Sequence, residues 1–160
     1  MKKIIFLILF LMPAVAFGME KADRVLVIKS KSRLYLKKQG KILKQYHATF
    51  GASPKGHKQK KGDERTPEGK YILDYKNQDS RFYKSIHISY PNEADKKRAK
   101  KMGVSPGGCI MIHGQKNGSG RVTFMTQRFN WTDGCIAVSN HAMDEIWLAV
   151  DVGTPIEIKP

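Results

Sequence analysis

The sequence predicts a mainly β domain, a sandwich or barrel with a few short peripheral helices. Three features point there. Short apolar-rich runs, several with period-two alternation, fill much of the chain, Gly- and Pro-containing turns separate them, and few segments carry a helical pattern. Residues 24–28 and 33–37 read as strands around a Ser30-Lys31-Ser32 turn. Gln39-Gly40 turns into a third strand, 41–50, where Tyr46, Ala48 and Phe50 alternate. Together these predict an antiparallel meander. Residues 51–68, rich in Gly, Pro and Lys, form a loop long enough to suggest mobility or function. Strand character resumes at 70–75 and 85–90. Residues 91–101 read as a helix: Glu93 and Asp95 sit early, Lys96, Lys97, Lys100 and Lys101 sit late, and Gly103 can end it. Residues 108–113 predict a strand, 121–129 a short helix and 135–138 a short strand. Asn140 is placed to cap a helix with Met143, Ile146, Trp147 and Val150 on one face. Gly153 ends it, and Ile156 and Ile158 alternate in a last strand.

A chain of 160 residues suits one domain with a real core. Residues 1–18 read as a secretory signal peptide. Lys2 and Lys3 are basic, residues 4–11 are an unbroken apolar run, Pro13 breaks it, and small residues follow up to Gly18. The run is short for a membrane span, which needs about 20 residues, so no stable membrane insertion is expected. That leaves 19–160 as the folded domain, exported to the periplasm or cell envelope. Without residues 1–18 the chain keeps 27 basic and 14 acidic residues, a net charge of +13. Such a charge attracts anionic surfaces. Export argues against nucleic acid as the partner, no aromatic platform for stacked bases is evident, and anionic envelope polymers fit better.

The segment Trp131-Thr132-Asp133-Gly134-Cys135 carries the clearest chemistry. A nucleophilic cysteine needs a nearby base or cation to become a thiolate. Gly134 lets the backbone turn sharply, so that successive N–H groups can converge on an oxyanion. His113, at the end of a strand and beside Gly114, supplies a base. On that strand Ile110 and Ile112 face one way, and Cys109, Met111 and His113 the other. His47, His57, His87 and His141 carry no such context and read as structural.

The pairing of Ile112-His113-Gly114 with Thr132-Asp133-Gly134-Cys135 resembles the L,D-transpeptidase catalytic domain (YkuD) family, whose motif is a histidine followed some twenty residues on by Ser/Thr-X-Gly-Cys. The similarity extends over nearly the whole of 19–160: Thr66-Pro67-Glu68-Gly69-Lys70-Tyr71, Ser89-Tyr90-Pro91-Asn92, Pro106-Gly107-Gly108 and Gly153-Thr154-Pro155-Ile156 match other family segments. The resemblance implies that Cys135 is the nucleophile and His113 the base and later the acid. It implies that the backbone carbonyl of Gly114 fixes the imidazole tautomer. It assigns the N–H groups of Asp133, Gly134 and Cys135 to the oxyanion, and Thr132 to bracing the turn. The substrates implied are peptidoglycan stem peptides, with an amine acceptor or a wall-anchored protein as possible partner. No metal and no organic cofactor are required.

Two departures matter. Asp133 stands where many members have histidine, and Ala137 where many have an arginine that would favour a substrate carboxylate. Arg65, Arg121 and Arg128 are candidates to replace that charge. Gly134-Cys135-Ile136-Ala137-Val138-Ser139-Asn140 looks closer to a branch that includes wall-peptide hydrolases. Transpeptidation and hydrolysis (as L,D-carboxypeptidase or amidase) therefore both stand, and a non-catalytic basic wall-binding module is the reading from another class. A Cys109–Cys135 disulfide competes with catalysis. Cα atoms of residues 109 and 113 on one strand lie about 13 Å apart at roughly 3.3 Å per residue. A disulfide needs its Cα atoms within about 7 Å. Cys135 can hardly reach both Cys109 and His113, so Cys109 is expected to be a buried small residue or an adventitious thiol. Catalysis by this pair predicts a pH dependence near neutrality.

Overall fold

A computed structural model describes residues 19–118 and 123–160 of the chain; the signal peptide expected at 1–18 and Arg121 lie outside the described residues. Among the described residues, eight strands form one mixed sheet in the order β3-β2-β1-β8-β4-β5-β6-β7. They are β1 (Arg24–Ile28), β2 (Arg33–Lys38), β3 (Lys41–His47), β4 (Gly69–Ser80), β5 (Tyr83–Ile88), β6 (Met111–His113), β7 (Ile136–Ala137) and β8 (Pro155–Lys159). Three α-helices accompany them: α1 (Glu93–Lys101), α2 (Thr123–Thr126) and α3 (Asn140–Ala149). The domain is mainly β, as the alternation predicts, and β1-β2-β3 is the expected antiparallel meander.

The sheet curls towards closure. Beyond β3 the chain runs on to β7, where Thr49 bridges Ala137 and Gly51 bridges Thr132. The two ends of the sheet are thereby tied together, which protects its edges. β4 serves both halves: Gly69–Ile72 pairs with β8, and a register shift after Leu73 hands its outer half to β5. Inward residues fill the core, among them Leu34, Leu36, Phe50, Leu73, Ile86 and Ile112, each almost fully buried. Met143, Ile146 and Val150 bury the α3 face that their spacing predicts. Burial of each such side chain contributes about 1.5–3 kcal/mol before entropy is counted.

Several boundaries differ from expectation for physical reasons. β4 runs on to Ser80, because pairing with β5 holds a polar stretch that has no alternation of its own. β6 begins only at Met111, since Cys109 adopts a left-handed conformation (φ 56°) and breaks the strand. Ser139 rather than Asn140 caps α3: its side chain accepts from Ala142 N–H, while Asn140 Oδ1 accepts from Gln115 N–H at 2.8 Å. In α1, Asn92 and Asp95 form a reciprocal capping box.

The 51–68 loop is pinned along its length. Lys29 Nζ, buried, bonds Glu68 Oε1 at 2.7 Å and the carbonyls of Gly56 and Thr66. Thr66 Oγ1 accepts from Gly51 N–H at 3.0 Å. Asp63 accepts from the N–H groups of Gln59, Lys60 and Arg65, and from Lys58 Nζ at 2.7 Å. Burial pushes the Asp63 carboxyl up, yet these donors outweigh it and bring the pKa down to about 2. A lowered carboxylate pKa stabilises the fold fully above the unfolded value, and that stabilisation is lost as pH falls through the folded value. Asp63→Asn is therefore expected to cost about 2 kcal/mol at pH 7 and to flatten the stability loss between about pH 4 and pH 2. Chemical denaturation at several pH values reads both effects.

Candidate active site

β6 and β7 lie side by side in parallel, with Ile112 opposite Ile136 and His113 opposite Ala137. Cys135, just ahead of β7, therefore sits beside Met111. Met111 N–H donates to Cys135 Sγ at 3.4 Å, and the thiol donates to the Cys109 carbonyl at 3.6 Å. Ile110 and Ile112 enter the core, while Met111 and His113 of β6, and Cys109 ahead of the strand, line a cavity of about 370 Å³ that Cys135 also lines.

His113 is held at Nδ1, on its ring and through its backbone. Its ring Nδ1 lies 2.6 Å from the Gly114 carbonyl. A carbonyl only accepts, so Nδ1 carries the hydrogen and Nε2 presents its lone pair. Phe82 packs on the ring with centroids 4.6 Å apart, and Trp131 meets it edge-on at 5.8 Å. The His113 carbonyl accepts from Val138 N–H at 2.9 Å, and Gly114 N–H donates to the Lys84 carbonyl at 3.2 Å. Gly114 has to be glycine: a Cβ there would fall 2.6 Å from Asn140 Oδ1 and 2.9 Å from Tyr83 Cβ. Burial pushes the imidazole pKa below its usual value, and the bond to Gly114 opposes this only in part.

The cysteine turn is closed by Thr132, which is buried. Its hydroxyl donates to the Cys135 carbonyl at 2.8 Å and accepts from Gly134 N–H at 3.2 Å. Gly134 N–H is committed to Thr132, which leaves the amides of Asp133 and Cys135 as candidate anion donors. Gly134 sits at φ +123°, and a Cβ there would fall 2.6 Å from the Arg65 carbonyl. Behind the turn, Thr132 N–H donates to the Phe50 carbonyl and Ala52 N–H to the Thr132 carbonyl. The long loop thus acts as a buttress for Cys135. Burial pushes the Cys135 thiol up, Met111 N–H opposes this, Asp133 and Cys109 add to it, and Lys58 lowers it. Both shifts favour a neutral thiol beside a neutral imidazole at rest.

Of the arginines proposed from the sequence, neither Arg65 nor Arg128 lines a cavity at Cys135. Arg65 sends its side chain along Gly56 and lines another cavity with Ser53, Gln59 and Met102. Arg128 is exposed beyond α2 and lines neither cavity at Cys135, and Arg121 is not among the described residues. The residue that sequence reasoning missed is Arg81. It lines the first cavity and also a second, of about 570 Å³, that adjoins Cys135 and includes Lys58, Lys61, Cys109 and Asp133. No motif marks Arg81, because only the hairpin fold brings it near position 135. Cys109 is exposed rather than buried, and both cysteines are free thiols. Among the described residues no group of three or more His, Cys, Asp or Glu side chains is placed to hold a metal.

A thiol and a tautomer-fixed imidazole lining one cavity of a curled, mainly β sheet define the class of fold and site. Residues 22–158 match the family model described as the L,D-transpeptidase catalytic domain (YkuD), and the chain belongs to that family. It is 33% identical over 119 residues to the "Putative L,D-transpeptidase YafK" of Escherichia coli (strain K12), a match covering 71% of this chain and 40% of YafK. It resembles the crystal structure of the helical cell shape determining protein Pgp2 from Campylobacter jejuni, with TM-score 0.63 and 26% identity over 86% of this chain and 48% of that one. Mycobacterium tuberculosis L,D-transpeptidase 1 shares the fold, with TM-score 0.53 at 15% identity over 86% of this chain and 60% of that one. The chain thus spans less than half the length of YafK and of the Pgp2 chain.

Proposed function

We propose that this chain is an exported cysteine acyltransferase that acts on peptidoglycan stem peptides through a thioester on Cys135, with residues 1–18 as its export signal. The observation that carries the proposal is the common cavity of Cys135 and His113, with Nε2 left as a lone pair by the Gly114 carbonyl. The thiol turns from the Cys109 carbonyl towards Nε2, which takes its proton as sulfur attacks the carbonyl of an L-configured diamino acid. The N–H groups of Asp133 and Cys135 hold the oxyanion; one such donor is worth about 3 kcal/mol in other enzymes. Collapse expels the D-amino acid as an amine, which receives the proton from His113. The thioester then passes to an amine, which His113 deprotonates in turn.

Water is the alternative acceptor. The segment Gly134-Cys135-Ile136-Ala137-Val138-Ser139-Asn140, similar to the branch that includes wall-peptide hydrolases, supports that rival reading. Incubating wild-type and Cys135→Ala protein with purified muropeptides, read by mass spectrometry, separates the readings. New cross-links mark an amine acceptor and shortened stems mark water. Identical products from both proteins support the basic wall-binding module instead.

The protonation states set a pH expectation. The reaction needs neutral imidazole, and burial lowers the His113 pKa from 6.5. Activity is expected to rise with pH along a limb whose midpoint lies below 6.5, on the acid side of the neutral transition the sequence suggests. The raised thiol pKa places no further rise below about pH 9. A kcat/KM profile with its midpoint above pH 7 contradicts this assignment.

A further inference from the structure

The stem-peptide reading puts carboxylates near the reacting carbonyl, whereas the cavity wall facing them carries Asp79 and Asp133. Like charges at that range disfavour binding unless a cation intervenes. Ala137 cannot host one: its side chain is fully buried and its N–H and C=O both bond Thr49. Lys58 is buried and bonded to Asp63 at 2.7 Å. Burial disfavours the charged form of His113. Among the described residues, Arg81 is the one Lys or Arg that lines the first cavity, and it also lines the second, so its reach covers both flanks of Cys135.

The hairpin tip that carries Arg81 is fixed. Phe82 N–H donates to Ser80 Oγ at 3.0 Å, Asn117 N–H donates to the Arg81 carbonyl at 2.9 Å, and Tyr83 N–H donates to Asn117 Oδ1 at 2.9 Å. Phe82 rests on the His113 ring, so the tip is registered against the proposed base itself. Tyr83 takes a left-handed conformation (φ 69°), which only well-held turns impose on a large side chain. Yet the Arg81 side chain is exposed and forms no hydrogen bond or ion pair with another described residue. A planar guanidinium on a rigid base, with no partner, suits bidentate capture of a carboxylate.

We infer that Arg81, at the β4–β5 tip, anchors a substrate carboxylate flanking the scissile bond. The inference rests on the stem-peptide reading and names the specificity determinant of that site. Two carboxylates could supply the group: the α-carboxylate of the terminal D-residue, or the side-chain carboxylate of the diamino acid.

Binding separates them. Cys135→Ala protein, with and without Arg81→Gln, is titrated calorimetrically with four peptides. They carry diaminopimelate or lysine at the third position, and end in a D-alanine acid or its amide. Wild-type protein is assayed for turnover of the same set. Without the Arg81 change, one of the two carboxylate substitutions is expected to weaken binding about tenfold. In the Arg81→Gln background that ratio should fall to about twofold or less. Arg81→Lys should restore only part of it, because lysine lacks the fork geometry. A ratio unchanged by Arg81→Gln, in protein that binds and turns over these peptides, overturns the anchor alone. No binding to any peptide, together with no wild-type turnover, overturns the stem-peptide reading and the anchor with it.

Discussion

Cys135→Ala is expected to lower stem-peptide turnover by about 10⁴-fold or more, the scale seen when the nucleophile of an acyl-transfer site is removed. Without sulfur, Nε2 of His113 has no proton to take and no acyl group can be carried. The fold should persist. The Cys135 sulfur receives one long hydrogen bond, from Met111 N–H at 3.4 Å, and the turn is closed by backbone and Thr132 contacts that alanine preserves. Circular dichroism and thermal melting of the variant should match wild type closely. Retention of a tenth of the activity in preparations free of wild-type protein would remove Cys135 from the mechanism.

Gly134→Ala should damage both stability and chemistry. The residue occupies a backbone conformation that L side chains rarely adopt, and the new methyl group would fall 2.6 Å from the Arg65 carbonyl and 3.2 Å from Ile110 Cδ1. Both the cysteine turn and the buttressing loop are backbone at that contact, so neither yields cheaply. We expect a loss of about 2–4 kcal/mol in unfolding free energy. Displacing Cys135 by even about 1 Å should cost a further 10²-fold in turnover. Denaturant unfolding and steady-state kinetics measure the two parts separately. A variant as stable and as active as wild type would mean that the turn is not held as described.

What could be read from the residues alone follows the range of the forces involved. The meander was legible because Val25, Val27, Leu34 and Leu36 alternate and neighbouring strands pair with short turns. α1 was legible from its charge order and its boundary residues. The site's two proposed principals stood out because each sits beside a glycine in the sequence, although the groups that exclude a Cβ there, Asn140 at Gly114 and the Arg65 carbonyl at Gly134, come from distant parts of the chain. Long-range placements left no such trace. β8 enters between β1 and β4, parallel to a strand some 130 residues earlier. The outer half of β4 is a strand only because β5 pairs with it. Arg81 approaches Cys135 through that same pairing, and Arg65, nearer the motif in appearance, points away. The bond from the Gly134 amide to Thr132 Oγ1 likewise depends on the folded turn and has no mark in the motif.

The central claim is that Cys135 carries the acyl group, and rapid-quench intact-protein mass spectrometry tests it most directly. Mixed with a stem tetrapeptide, the protein should gain the mass of the peptide less that of the free terminal D-amino acid it expels. The adduct should map to Cys135, should be released by hydroxylamine, and should be missing from Cys135→Ala. Turnover of the same peptide with no adduct at any time point, or with an adduct on Cys109 instead, would contradict the account.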